Sequence, residues 1–94
     1  MKVKVYNMTS PNGNKVANQF EIYTSKGKYF QSYNSIIVFI DKKGRVYLDE
    51  YYWDYSTTTG KYRNIFLGEK KKETESKIKN GIYKLKKLNK NLYF

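Results

Sequence analysis

The chain has 94 residues, with 19 basic and 8 acidic side chains and a formal net charge of +11. It contains no Cys and no His, which excludes disulfides, Cys/His zinc sites and catalytic pairs that need a thiol or an imidazole. The length allows a single domain, residues 1–94. An aromatic content of 18% predicts that this domain folds rather than stays disordered.

The chain shows no membrane or export signal. Its longest apolar run, 36–40, is far shorter than the roughly 20 residues that cross a bilayer. The N-terminal segment alternates Lys with Val where a secretory signal has a continuous apolar stretch. We therefore expect a cytoplasmic protein with no membrane partner.

Five segments have the alternation or the short β-branched runs typical of strands: 2–8, 16–23, 28–33, 36–40 and 45–49. Short turns rich in Gly, Asn, Asp and Ser join them, so we expect an antiparallel meander. On the first two strands the alternation predicts a set of side chains that point away from the core: Lys2, Lys4, Tyr6, Gln19, Glu21 and Tyr23.

Helices are predicted in the second half of the chain. A first helix lies between an N-cap at Ser56 and a terminating Gly68, and its predicted inner face carries Thr58, Tyr62, Ile65 and Phe66. A second helix is predicted from Lys71 to Asn80, ended by Gly81. Residues 82–88 suit a short strand, and 89–94 a frayed tail. The predicted fold is therefore α+β: a meander of about five strands with two short C-terminal helices on one face.

Three stretches, 10–20, 29–33 and 53–69, together resemble a group of small uncharacterised proteins encoded by bacteriophages and prophages. The most specific part is Trp53-Asp54-Tyr55-Ser56-x-Thr58-Thr59-x-Lys61, followed by Phe66-Leu67-Gly68. The resemblance implies a viral or mobile-element origin and action inside a bacterial host cell, but transfers no catalytic residue. Small phage proteins of this kind include inhibitors of bacterial defence nucleoproteins, so the resemblance also implies that activity as a hypothesis.

Carboxylates cluster locally at Asp49, Glu50 and Asp54, around the aromatic residues 51–53. Such a cluster is suited to binding a divalent cation or to acid/base catalysis. A metal-dependent nuclease centre requires a further carboxylate and a Lys at the right spacing, which this segment does not supply. We therefore expect a solvated strand end and helix entry, with no catalytic residue, metal or cofactor.

Tyr residues interleave with Lys and Arg along the chain, and nine Lys against two Glu follow residue 69. Basic side chains neutralise phosphates while aromatic rings stack on unpaired bases. The predicted binding residues are Lys4, Tyr6, Tyr23, Lys26, Lys28, Arg45, Tyr47, Lys61, Arg63, Lys70, Lys71, Lys72, Lys77 and Lys79. The alternative is an ordinary sheet surface, because strand packing and A/T-rich codons also enrich Tyr and Lys.

We therefore expect a small, basic, non-enzymatic binding protein. Its expected partner is nucleic acid or a host nucleoprotein that the protein inhibits. A structural or assembly accessory of the virion is the alternative from a different class, and a small metal-dependent nuclease comes third.

Overall fold

The computed structural model describes residues 2–90, which form one six-stranded sheet and two helices. The elements are β1 Lys4–Thr9, β2 Lys15–Thr24, β3 Gly27–Ser32, β4 Ser35–Asp41, β5 Val46–Asp49, α1 Thr57–Leu67, α2 Lys71–Lys79 and β6 Lys84–Lys86. The strands lie in sequence order, and β1 to β5 pair antiparallel. β6 returns after the helices and pairs parallel to β5. The predicted α+β class is confirmed.

The hairpins follow from local turn chemistry. Gly13 has φ 85° in the turn between β1 and β2, where its N–H donates to the carbonyl of Ser10 over 2.8 Å. Only two residues separate β2 from β3, and the next residue is Gly27. A Cβ at Gly27 would collide with the carbonyl oxygen of Ile40 on β4. Glycine is therefore required there for β3 and β4 to pair closely.

Both predicted helices are present, with their signals in place. The side chain of Ser56 accepts the N–H of Thr59 over 3.1 Å and caps α1. Gly68 ends α1 in the left-handed conformation, with φ 70°. α2 begins where the Glu73 carboxylate accepts the N–H of Lys70 over 3.2 Å. These local contacts explain why the predicted helix limits are close to the observed ones.

One face of the sheet packs against the helices, and we call it the helix face. On β3, Phe30 stacks on Phe66 of α1 with 5.7 Å between ring centroids, and the Ser32 hydroxyl contacts that of Thr59 over 3.0 Å. Ile78 of α2 packs against the same core. The buried apolar residues of this core are Met8, Phe30, Ile37, Val38, Leu48, Tyr62 and Tyr83.

The faces of the first two strands are the reverse of the prediction. Gln19 is fully buried on the helix face, in register with Ser32, whereas Val5 is 57% exposed. Tyr6 and Tyr23 also lie on the helix face and meet edge to face at 5.8 Å. They remain exposed because α1 packs over the centre of the sheet and leaves the β1 edge of the sheet open to solvent. The predicted inner face of α1 is also corrected, since Ile65 and Thr58 are exposed.

Asn89 attaches the segment after β6 to the sheet. Its side-chain amide accepts the N–H of Ile36 over 2.7 Å and donates to the carbonyl of Ile36 over 2.8 Å. These two bonds satisfy backbone groups at the start of β4, where β5 does not reach. The predicted frayed tail covers 89–94, of which residues 91–94 lie outside the described part of the chain.

Replacing Phe30 by Ala tests which face is the core. Phe30 is fully buried between the sheet and α1, so Phe30→Ala is expected to lower the free energy of unfolding by about 3 to 5 kcal/mol. Tyr6→Ala, on the exposed margin, is the control and should cost less than about 1 kcal/mol. Denaturant melts of both variants measure this. Equal losses would show that the margin around Tyr6 is as tightly packed as the centre.

Candidate functional site

A row of side chains crosses all six strands on the face opposite the helices. Cα pairing joins each member to the next: Val5, Ile22, Tyr29, Phe39, Tyr47 and Lys84. Side chains that pair across strands share a face, and Tyr29 alternates with the core residue Phe30. We call these six residues the cross-strand row and this side of the sheet the open face. Every member of the row is at least partly exposed.

The centre of the row is a stack of three aromatic rings. The centroids of Tyr29 and Phe39 lie 4.6 Å apart with planes inclined by 22°, and those of Phe39 and Tyr47 lie 5.9 Å apart with 18°. The ammonium of Lys86 completes the stack, 4.5 Å from the centroid of Tyr47. Because Tyr29 and Phe39 cover each other's faces, the solvent meets mainly the ring edges and the ends of the stack.

Further apolar and basic groups surround the row. A second in-register set on the open face consists of Asn7, Phe20, Gln31 and Ile36. At one corner, Arg45 forms an ion pair with Asp41 over 2.7 Å. Partly exposed apolar side chains therefore continue from the row into a second set of in-register positions, interspersed with polar groups.

The structure distributes the predicted binding residues over several surfaces. Tyr47 and Arg45 lie on the open face, whereas Lys4, Tyr6, Tyr23 and Lys28 lie on the helix face. Lys26 is in the β2–β3 turn, and Lys61 lies over the ring of Tyr62 on α1. The helical and linker lysines form another group: Lys70, Lys71, Lys72, Lys77 and Lys79. The predicted set therefore does not form one site.

Arg63 is a core residue, which corrects its prediction as a surface contact. Its side chain is 1% exposed. The guanidinium donates to the Trp53 carbonyl over 2.7 Å, to Asp54 over 3.1 Å and to the Asn64 side chain over 2.9 Å. It also lies 5.2 Å from the ring centroid of Trp53. These contacts bind the segment before α1 to the helix itself.

Two more predicted lysines form ion pairs with carboxylates of the protein, although their own side chains stay partly exposed. Lys71 pairs with Asp54 over 2.7 Å, and Lys77 with Glu69 over 2.6 Å. The side chain of Glu69 is 4% exposed and also accepts hydrogen bonds from Thr74 and Tyr83. Burial alone would raise the pKa of Glu69, but the three donors outweigh it and hold that pKa below its usual value.

The three carboxylates of the predicted cluster contact different partners. Asp49 is buried rather than solvated as predicted, and it accepts backbone N–H groups of Tyr51, Tyr52 and Leu88. Glu50 lies 3.9 Å from Lys87, and Asp54 pairs with cations of α1 and α2. Within residues 2–90, no three acidic side chains are placed to share a metal ion.

A comparison with protein-family models matches residues 2–81 to a family of unknown function, DUF8033. The chain belongs to this family. The matched segment covers β1 to α2 and stops before β6, so the lysines of β6 lie outside it. No curated protein and no solved structure matches the chain. Neither helix in residues 2–90 is long and apolar enough to cross a membrane. The resemblance to phage proteins stays a prediction.

Sequence reasoning missed Tyr29, Phe39, Lys84 and Lys86 as members of one surface. Alternation along β3 was a usable signal, since it separates Tyr29 and Gln31 from the opposite face. The register between strands could not be predicted from the sequence. That register brings the side chains of β3, β4, β5 and β6 into one row.

Arg63→Leu separates a structural role from a binding role. Loss of the guanidinium removes charge-assisted hydrogen bonds to the segment before α1, so we expect a cost of about 1.5 to 3 kcal/mol in unfolding free energy. Lys61→Leu, on the exposed side of the same helix, should cost less than about 0.5 kcal/mol. Thermal or urea melts decide between them. An Arg63→Leu variant as stable as wild type would contradict the structural role.

Acid should destabilise the fold partly through Glu69. Its unfolded pKa is 4.5 and its folded pKa is lower, so its stabilisation is complete above pH 4.5 and is lost as pH falls through the folded pKa. Glu69→Gln is expected to lower stability at neutral pH by about 1 to 3 kcal/mol. It should also flatten the acid dependence measured by urea melts between about pH 6 and 3. Parallel pH profiles for variant and wild type would refute this role.

Proposed function

We propose that this protein is a non-enzymatic binding protein that holds single-stranded nucleic acid on its open face. The observation that carries the proposal is the cross-strand row: apolar and aromatic side chains in register across five strands, followed by a lysine on the edge strand. Aromatic groups beside basic groups on a sheet are typical of single-strand binders. At about 4.8 Å per strand, the row is about 24 Å long, enough for a few nucleotides.

The charge of the open face supports a polyanionic partner. Two carboxylates occur among its in-register positions in residues 2–90, Asp41 and Asp49. Asp41 is ion-paired with Arg45, and Asp49 is buried and hydrogen-bonded to backbone N–H groups. Both negative charges are thus compensated, whereas Lys84 and Lys86 project from the edge strand. A nucleic-acid backbone therefore meets attraction and little repulsion on this face.

The geometry of the rings sets the expected strength of binding. The contact between Tyr29 and Phe39 covers one face of each ring. This leaves less ring surface for base stacking than rings lying flat on the sheet would offer. Phosphate contacts then supply much of the affinity. We therefore expect micromolar, sequence-neutral binding that weakens with salt.

Fluorescence anisotropy with labelled oligo-dT and oligo-rU tests the proposal and compares DNA with RNA. If Lys84 and Lys86 each neutralise one phosphate, raising salt from about 50 to 200 mM should weaken binding roughly sevenfold. The double variant Lys84→Gln/Lys86→Gln should lose most of that salt dependence.

Lys72→Gln/Lys79→Gln is the matched control, since it removes the same charge from exposed positions on α2. It should retain most of the wild-type affinity. Equal losses in both double variants would show that net charge alone binds the nucleic acid, and would contradict the open-face site. No binding by wild type at about 50 mM salt would point instead to a protein partner.

A further inference from the structure

The two faces of the Tyr47 ring are covered in different ways. β5 lies between β4 and β6, so Phe39 approaches the ring from one side and Lys86 from the other. Phe39 is a rigid ring packed in the row, at 5.9 Å. On the β6 side, the contact is the ammonium of Lys86, 4.5 Å from the ring centroid. The outer face of Tyr47 is therefore covered by a flexible side chain.

A stacked nucleobase interacts more favourably with this ring face than the ammonium does. A cation over an exposed aromatic ring contributes modestly, because the ammonium loses hydration when it takes that position. A stacked base covers the whole ring face and contributes more. Exchange of the ammonium for a base is thus favourable, provided that the displaced charge finds an anion.

The lysines of β6 provide that compensation. Lys84 and Lys86 are two residues apart on one strand and pair with Tyr47 and Asp49, so both side chains project on the open face. Both are exposed. A lysine stem is long and freely rotating, and an ammonium that leaves the Tyr47 ring can reach the phosphate attached to the stacked nucleotide.

We infer that Tyr47, Lys84 and Lys86 form a subsite for one nucleotide of a single strand. The base stacks on the outer face of Tyr47, and Lys86 moves from the ring to the phosphate. Lys84 binds the neighbouring phosphate along the strand. This inference rests on the proposed function and adds to it a defined stacking position and a defined exchange.

Anisotropy with two probes of equal length, oligo-dT and an oligomer of abasic sites, tests the subsite. Wild type should prefer oligo-dT by about fivefold or more. Tyr47→Leu should lose that preference while keeping its affinity for the abasic probe, and Tyr47→Phe, which retains a ring, should keep it. Lys86→Gln should keep the preference and lower the magnitude of the salt slope by about 0.7, equal to one phosphate.

Tyr23→Leu is the control for loss of a partly exposed tyrosine, since Tyr23 lies on the helix face. It should behave as wild type. Equal binding of both probes by wild type would overturn the subsite and leave the proposed function standing. Binding of neither probe would overturn both. A Tyr47→Leu variant that melts like wild type and still prefers oligo-dT would place the stacking elsewhere.

Discussion

The buried guanidinium of Arg63 is the contact on which the rest of the architecture depends. It ties the carbonyl of Trp53 and the carboxylate of Asp54 to the helix that follows them, and Lys71 extends the connection to α2. A buried charge is costly unless it is paired, and the two terminal nitrogens of Arg63 find oxygen partners while its Nε has none within residues 2–90. α1 crosses β3 on the side of Phe30, and the opposite side of the sheet stays open.

The contacts of the carboxylates explain where positive charge is available on the surface. Most carboxylates make contacts within the protein. Asp49 accepts hydrogen bonds from backbone N–H groups, and Asp54 and Glu69 pair with arginine and lysine side chains. A net charge of +11 therefore appears mainly as lysines on the surface. On the open face Lys84 and Lys86 adjoin the cross-strand row, and that combination supports the proposed binding surface.

The contacts of residues 53–68, on which the predicted resemblance to phage proteins rests, are structural. Ser56 caps α1, Thr59 contacts β3, Trp53 covers the Arg63 guanidinium, and Asp54 pairs with it. A distinctive motif can therefore encode the docking of a helix and carry no chemistry of its own. The candidate binding surface lies on the other side of the sheet, in strands whose composition is less distinctive.

Local sequence determined the turns, the first five strands, both ends of α1, the terminating Gly81 of α2 and the α+β class, because each depends on side chains a few residues apart. It also predicted Arg45 and Tyr47 as binding residues, and both lie on the open face. The sequence did not determine which side of the sheet the helices cover. Alternation assigns residues to two sides without saying which is inner, and both sides here are rich in apolar groups. Only the tertiary structure decided that Gln19 is buried and Val5 exposed. The strand register likewise aligned Tyr29, Phe39 and Tyr47, because it depends on pairing between strands far apart in the chain.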